Sequence, residues 1–249
     1  MTPSPVSPRL WVAKAMRRLA VMVDPEVRAP SRTPRTCPIC GFHGPFLPSG
    51  GNSAPRPDGI CRGCGSAERH RLLKLVLDRE GVEGLGRVLH FAPEAAVARF
   101  VRPLAESYVS ADLAPGAADR VADIEALDLP DDAVDTVICS HVLEHVDDRK
   151  ALGEIARVLV PGGLAILAVP IAEGWPETYE DPAVTGWKDR IVHYGQGDHV
   201  RYYGRDFRDR VRAAGFDLRE VGVGGAETVA HGLVPGEVVF LATRTAAAS

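Results

Sequence analysis

The sequence predicts an α/β protein: a doubly wound, Rossmann-like and mostly parallel sheet preceded by a small cysteine-rich subdomain. Three observations carry this. After Gly86, short apolar β-branched runs alternate with helical segments. Before it, two C-x-x-C pairs stand in a stretch rich in Pro, Gly, Ser and Arg. Finally, 249 residues with 45% hydrophobic content supply one sizeable core and an appendage. The formal charge of −4 excludes a global basic field that would draw the chain to nucleic acid or an anionic membrane.

Residues 1–30 read as a peripheral helix and linker. Ser7 and Pro8 stand where a cap and a first helical residue belong, and Leu10, Ala13 and Ala20 recur at helical spacing. Lys14, Arg17 and Arg18 interrupt the apolar run, which excludes a bilayer span. With no small-residue cleavage site either, a cytoplasmic protein with reduced thiols is expected.

Residues 24–60 hold too few large apolar residues to form a core without a staple, and residues 31–66 read as a zinc-binding subdomain that provides it. Cys37 and Cys40, with Cys61 and Cys64, supply one. Each pair forms a tight knuckle whose thiolates can face one ion, and their separation matches a four-cysteine zinc site. A redox dithiol needs only one pair, and an iron-sulfur cluster is less expected with two separated knuckles. His43 could replace a cysteine, but reads as an exposed loop histidine. Four protein ligands close the tetrahedron, so the Zn2+ is expected to be structural. The fifth cysteine, Cys139, lies in an apolar strand pattern.

The third part, 67–249, follows directly. Ser66 is placed to cap a helix running to Arg79, with Leu72, Leu73, Val76 and Leu77 as its buried stripe. Strands are expected at 87–91, 108–111, 134–140, 164–170, 218–223 and 238–243, and helices at 94–106, 150–159 and 206–214. At the end of the first strand, Phe91 leads through Ala92, Pro93 and Glu94 into a helix, the place where doubly wound folds bind nucleotides. Asp112 ends the next strand, where an acid can accept from ribose hydroxyls.

Beyond Asp123 and Ile124, an acid-led apolar run from Asp135 to Ser140 continues into H-V-L-E-H at 141–145, and P-G-G follows at 161–163. Over residues 66–243, and most specifically 135–169, this resembles the class I S-adenosylmethionine-dependent methyltransferases. The resemblance implies an antiparallel last strand, a helix after the fourth strand, and S-adenosylmethionine as cofactor. It implies Asp112 on the ribose diol, Asp123 on the adenine amino group, Leu113 and Ile124 about the ring, and residues 92–94 with Ser140 near the methionine half. The sequence departs from the family at Ala92 and Glu94, where glycines are usual, and at His90, where an acid is usual, so backbone approach to the ligand is less free. Arg69 and His70 read equally as partners of the methionine carboxylate and as a solvated basic face.

Methyl transfer needs the acceptor lone pair held in line with the methyl carbon, and a general base only where the acceptor keeps its proton. The segment 171–206 is the least family-like part and concentrates aromatic and histidine residues. Its Tyr179, His193, Arg201, Tyr202 and Tyr203 are the expected substrate contacts. His199, flanked by Asp198 and Arg201, is the first candidate for a base or acceptor-orienting group, and His141 the second. A small polar or natural-product-like acceptor is the leading expectation. The alternatives are RNA, met by a basic front end of Arg28, Arg32, Arg35, Arg56, Arg62, Arg69 and Arg71, and a zinc-knuckle binding module with a vestigial cofactor site.

Overall fold

The computed structural model describes residues 33–49 and 56–245. The helix expected within 1–30 lies outside the described residues, as do Arg28 and Arg32. The described residues divide into two compact units, one of those up to Leu75 with Val223–Glu237, the other of Val76–Gly222 with residues 238–245.

In the front unit, β1 (Arg35–Thr36) pairs antiparallel with β2 (His43–Gly44), and β3 (Leu47–Ser49) with β4 (Arg56–Ile60). The two knuckles repeat one hydrogen-bond pattern. Gly41 N donates to Cys37 O and Gly65 N to Cys61 O, while Cys37 N donates to Phe42 O and Cys61 N to Ser66 O. Gly41 and Gly65 close these turns at φ +74° and +72°, a left-handed conformation that disfavours a side chain. Phe46 is buried against Cys37 and Cys61, with Ile39, Phe42 and Cys64 around them.

Helix α1 (Glu68–Arg79) starts later than the sequence predicts. The Ser66 hydroxyl sits 3.5 Å from Cys37 Sγ and 3.2 Å from Cys64 Sγ. The orphan amide of Ala67 donates instead to His70 Nδ1 at 3.1 Å. Arg71, fully buried, donates to the carbonyls of Asp58, Gly59, Ser66, His231 and Gly232. The last two belong to or follow the helix Gly225–His231, an element the sequence pattern did not reveal.

The second unit is a seven-stranded sheet with helices between its strands. In chain order these are β5 (Gly86–Phe91), α2 (Ala95–Val101), β6 (Ala105–Asp112), β7 (Arg120–Val121), β8 (Val134–Ser140), α3 (Asp148–Val158), β9 (Leu159–Ala168), α4 (Trp187–Tyr194), α5 (Phe207–Ala213), β10 (Phe216–Gly222) and β11 (Val238–Arg244). The strand order is β7-β6-β5-β8-β9-β11-β10. The first five strands of that order run parallel, and β11 is antiparallel to both its neighbours. This is the mostly parallel, Rossmann-like sheet with an antiparallel last strand that the sequence predicts. The order reverses between β5 and β8, so the carboxyl ends of these strands open a crevice.

The core joins Leu89, Val137 and Leu167 of the sheet to Leu152 and Ile155 of α3 and Phe207 of α5. Two expected helices differ. The one predicted over 94–106 stops at Val101, because Pro103 lacks an N–H and the chain tightens into a 3-10 turn over Arg102–Leu104. The helix implied directly after the fourth strand is a single 3-10 turn, Leu143–His145. Asp147 then caps α3 by accepting from Arg149 N and Lys150 N.

Candidate cofactor, metal and acceptor sites

The turn after β5 has the backbone shape of a glycine turn without the glycine. Ala92 sits at φ +46°, and its N–H donates to Ala111 O at 2.9 Å. A left-handed alanine costs about 1–2 kcal/mol, so the packing around the turn imposes a shape that the residue itself opposes. Phe91 is buried beneath it, Pro93 and Glu94 are half-buried, and the Glu94 carbonyl opens α2 by accepting from Val97 N and Ala98 N.

Asp112 ends β6, and Asp123 follows β7. Each uses Oδ1 to fix its own loop, accepting from Ala114 N at 2.8 Å and Glu125 N at 2.9 Å. Beside Asp123 lies a cleft of about 170 Å³ lined by Leu89, Ala111, Ala122, Leu127 and Leu129. Leu113 is 61% exposed, whereas Ile124 is buried in the core, so only Leu113 offers an open apolar face here. Ser140 ends β8 half-buried.

After Ser140 the chain turns sharply at His141, φ +55°, whose N–H donates to Ala168 O. His141 Nδ1 lies 3.2 Å from Glu144 Oε1, and its side chain is about one-third exposed. The 171–206 segment docks on this turn. Val200 N donates to Glu144 O, His145 Nδ1 lies 3.2 Å from Asp198 O, and the His145 and His199 rings meet edge-on at 4.7 Å. Burial holds the His199 imidazole below its ordinary pKa, outweighing the opposite pull of Glu144 and Asp198.

The expected substrate residues divide into two groups. Tyr179, His193 and Tyr202 gather with Trp175 in an aromatic cluster, where Tyr179 stacks on His193 and its hydroxyl lies 2.6 Å from His193 Nδ1. Arg201 and Tyr203 are buried and bind protein groups. Arg201 donates to Leu143 O and Val146 O and pairs with Glu180, while Tyr203 donates to Leu143 O and Asp148. Both therefore brace the 3-10 turn. Alternation of residue types could not separate these groups, because the segment is irregular and has no period to follow.

Arg69 and His70 belong to the front unit, where Arg69 is half-buried and His70 is committed to the start of its own helix. The same unit disperses the expected basic surface. Among the described residues, Arg35 pairs with Asp58, Arg71 is buried, and Arg56 and Arg62 are exposed, Arg56 paired with Glu68.

The four cysteine sulfurs converge, all within 4.8 Å of one another, with Cys37–Cys64 and Cys40–Cys61 each at 3.7 Å. Burial pushes the Cys61 thiol up to about 12. At Cys37 burial acts the same way but is outweighed by hydrogen bonds from Ser66 and the Cys40 and Ile39 backbone, which bring it to about 7. A second group, which the sequence reading did not assemble, brings Glu144, His145 and His199 within the same 4.8 Å limit.

Residues 62–167 match the family described as a methyltransferase domain. No curated protein matches the chain. Among solved structures, the chain resembles the Haloferax volcanii complex of the Trm112 methyltransferase activator with a protein described as a methyltransferase, at 18% identity and TM-score 0.52, over 73% of this chain and 91% of that one. It also resembles the [4+2]-cyclase SpnF, at 18% identity and TM-score 0.50, over 75% of this chain and 86% of that one. At such identities the likeness is one of fold, and the second example shows this fold carrying a different reaction.

Proposed function

We propose that this S-adenosylmethionine-dependent methyltransferase delivers its methyl group to a small polar acceptor held against the segment 171–206, while its front unit is a structural zinc module. The observation that carries the reading is the pair of acids at adjacent strand ends, Asp112 and Asp123, beside the left-handed Ala92 turn at the sheet's switch point.

The residues present suit the cofactor. Asp112 would hold the ribose diol, Asp123 the adenine amino group and Leu113 the ring face, with Ala92 to Glu94 and Ser140 toward the methionine half; when bound, the cofactor supplies an electrophilic methyl group on a sulfonium. The aromatic cluster of Tyr179, His193 and Tyr202 would confine the acceptor. The assisting base is His141 rather than His199, because His141 stands at the end of β8 with an accessible ring and a carboxylate partner. The cysteine site suits zinc, since four convergent thiols are a closed soft donor set. A cytoplasmic location, where thiols stay reduced, would suit this cysteine site. Among the described residues, no helix is long and apolar enough to cross a membrane.

Calorimetry with S-adenosylmethionine tests the central assignment. Asp112→Ala should bind at least about tenfold more weakly, roughly 1.4 kcal/mol. Equal affinity in the two proteins would remove Asp112 from the site. Once an acceptor is found, His141→Ala should lose turnover while keeping cofactor affinity; undiminished turnover would leave positioning alone as the source of rate.

A further inference from the structure

We propose that Glu144, His145 and His199 form a second metal site, for a divalent transition metal, whose remaining coordination positions take oxygen atoms of the acceptor. Only the acceptor part rests on the methyltransferase reading; the metal site stands on its own geometry. Glu144 is 1% exposed and His199 4%. Glu144 Oε2 and His199 Nε2 are both buried without a hydrogen-bond partner, and a carboxylate oxygen of Glu144 and one ring nitrogen each of His145 and His199 lie within 4.8 Å of one another. A carboxylate oxygen stripped of water and of donors is unstable unless a cation faces it.

The surrounding bonds leave the correct atoms available. His145 presents Nδ1 to the Asp198 carbonyl at 3.2 Å. A carbonyl on Nδ1 fixes the tautomer whose Nε2 carries the lone pair, the usual support of a metal-binding imidazole. Glu144 is steadied in the same way, with Oε1 beside His141 and its own carbonyl accepting from Val200. The three ligands come from two chain segments that these backbone bonds clamp together. Ligand and support are thus built by one contact.

Two imidazoles and one carboxylate leave positions open and suit divalent iron, manganese, cobalt or zinc, in contrast to the closed thiolate site of the front unit. The group follows β8, next to His141 and beside the segment expected to hold the acceptor. An acceptor with two adjacent oxygens would chelate the ion and be oriented by it.

The test uses the full-length chain with zinc on its cysteines, titrated with Mn2+ in the absence of cofactor and acceptor. Manganese is a weak competitor for thiolates, so it reports the second site. Electron paramagnetic resonance should count about one bound Mn2+ per chain, with pulsed spectra showing nitrogen coupling from two imidazoles. Glu144→Gln and His199→Asn should weaken binding at least tenfold while S-adenosylmethionine affinity is retained. Catechol, a probe with paired oxygens, should alter the bound-Mn2+ spectrum. Failure of wild-type protein to bind at millimolar Mn2+, bound ion without imidazole coupling, or unchanged affinity in both variants would each overturn the site. An unaltered spectrum with catechol would overturn the acceptor class. Loss of Mn2+ binding with intact cofactor binding removes the metal alone, whereas Mn2+ binding without cofactor binding removes the methyltransferase reading and leaves the metal.

Discussion

The two units of this chain solve the problem of a core in opposite ways. The sheet unit buries a continuous apolar cluster from Leu89 to Phe240, in which no single side chain is decisive. Among the described residues, the front unit has one large buried aromatic residue, Phe46, set between converging cysteines and the buried Arg71 guanidinium, which lies 4.7 Å from its ring centre. Its order depends on a few polar groups, each with several partners. Distributed packing tolerates the loss of any one contact, and a polar hub does not.

The largest expected effect breaks the front unit at its metal. Cys37→Ser or Cys64→Ser should abolish the bound zinc equivalent and the order of residues 33–49 and 56–66, since structural zinc contributes about 10–16 kcal/mol of binding free energy in small modules. Elemental analysis with hydrogen exchange measures both, and metal-free protein with unchanged protection would refute the proposal. Next comes Arg71→Met, which keeps the bulk but orphans five carbonyls. A loss of about 3–5 kcal/mol is expected, with exchange accelerating at residues 58–66 and 231–232. If the substitution is neutral in chemical denaturation, the hub is not what holds the unit.

The matching change in the sheet unit is Leu152→Ala, at a position fully buried on α3. It should cost about 2–5 kcal/mol but leave the sheet folded and the zinc content unchanged. Loss of metal in this variant would show that the two kinds of core are not independent.

The smallest effect is an acid one. Burial raises the Glu180 carboxyl, but hydrogen bonds from Arg210 and Arg201 outweigh it and hold the group below its ordinary value of 4.5. Its folded value being the lower, the stability it adds is present above pH 4.5 and is lost as pH falls through the folded value. Tryptophan fluorescence of the 171–206 segment should follow that loss on acid titration. Glu180→Gln should flatten the response, and an identical titration would exclude this carboxylate as its source.

The sequence by itself determined whatever depends on near neighbours along the chain. The cysteine knuckles were legible because C-x-x-C is a local turn, and the sheet because strand and helix periods are local. The acids were legible because they directly follow strands. Tertiary structure decided what distant segments do to each other. Ala92 lacks glycine's conformational freedom and is nevertheless held left-handed by its surroundings. Ser66 faces sulfur instead of capping a helix. Arg71 reads as part of a basic surface and Arg201 as a substrate contact in sequence, yet both are buried because backbone carbonyls from remote loops converge on their guanidinium groups. His199 is more than fifty residues from Glu144, and only the fold makes it a neighbour. No periodicity encodes such a meeting, because it is set by where a loop lands, and that position is fixed by the packing and hydrogen bonds of the whole unit.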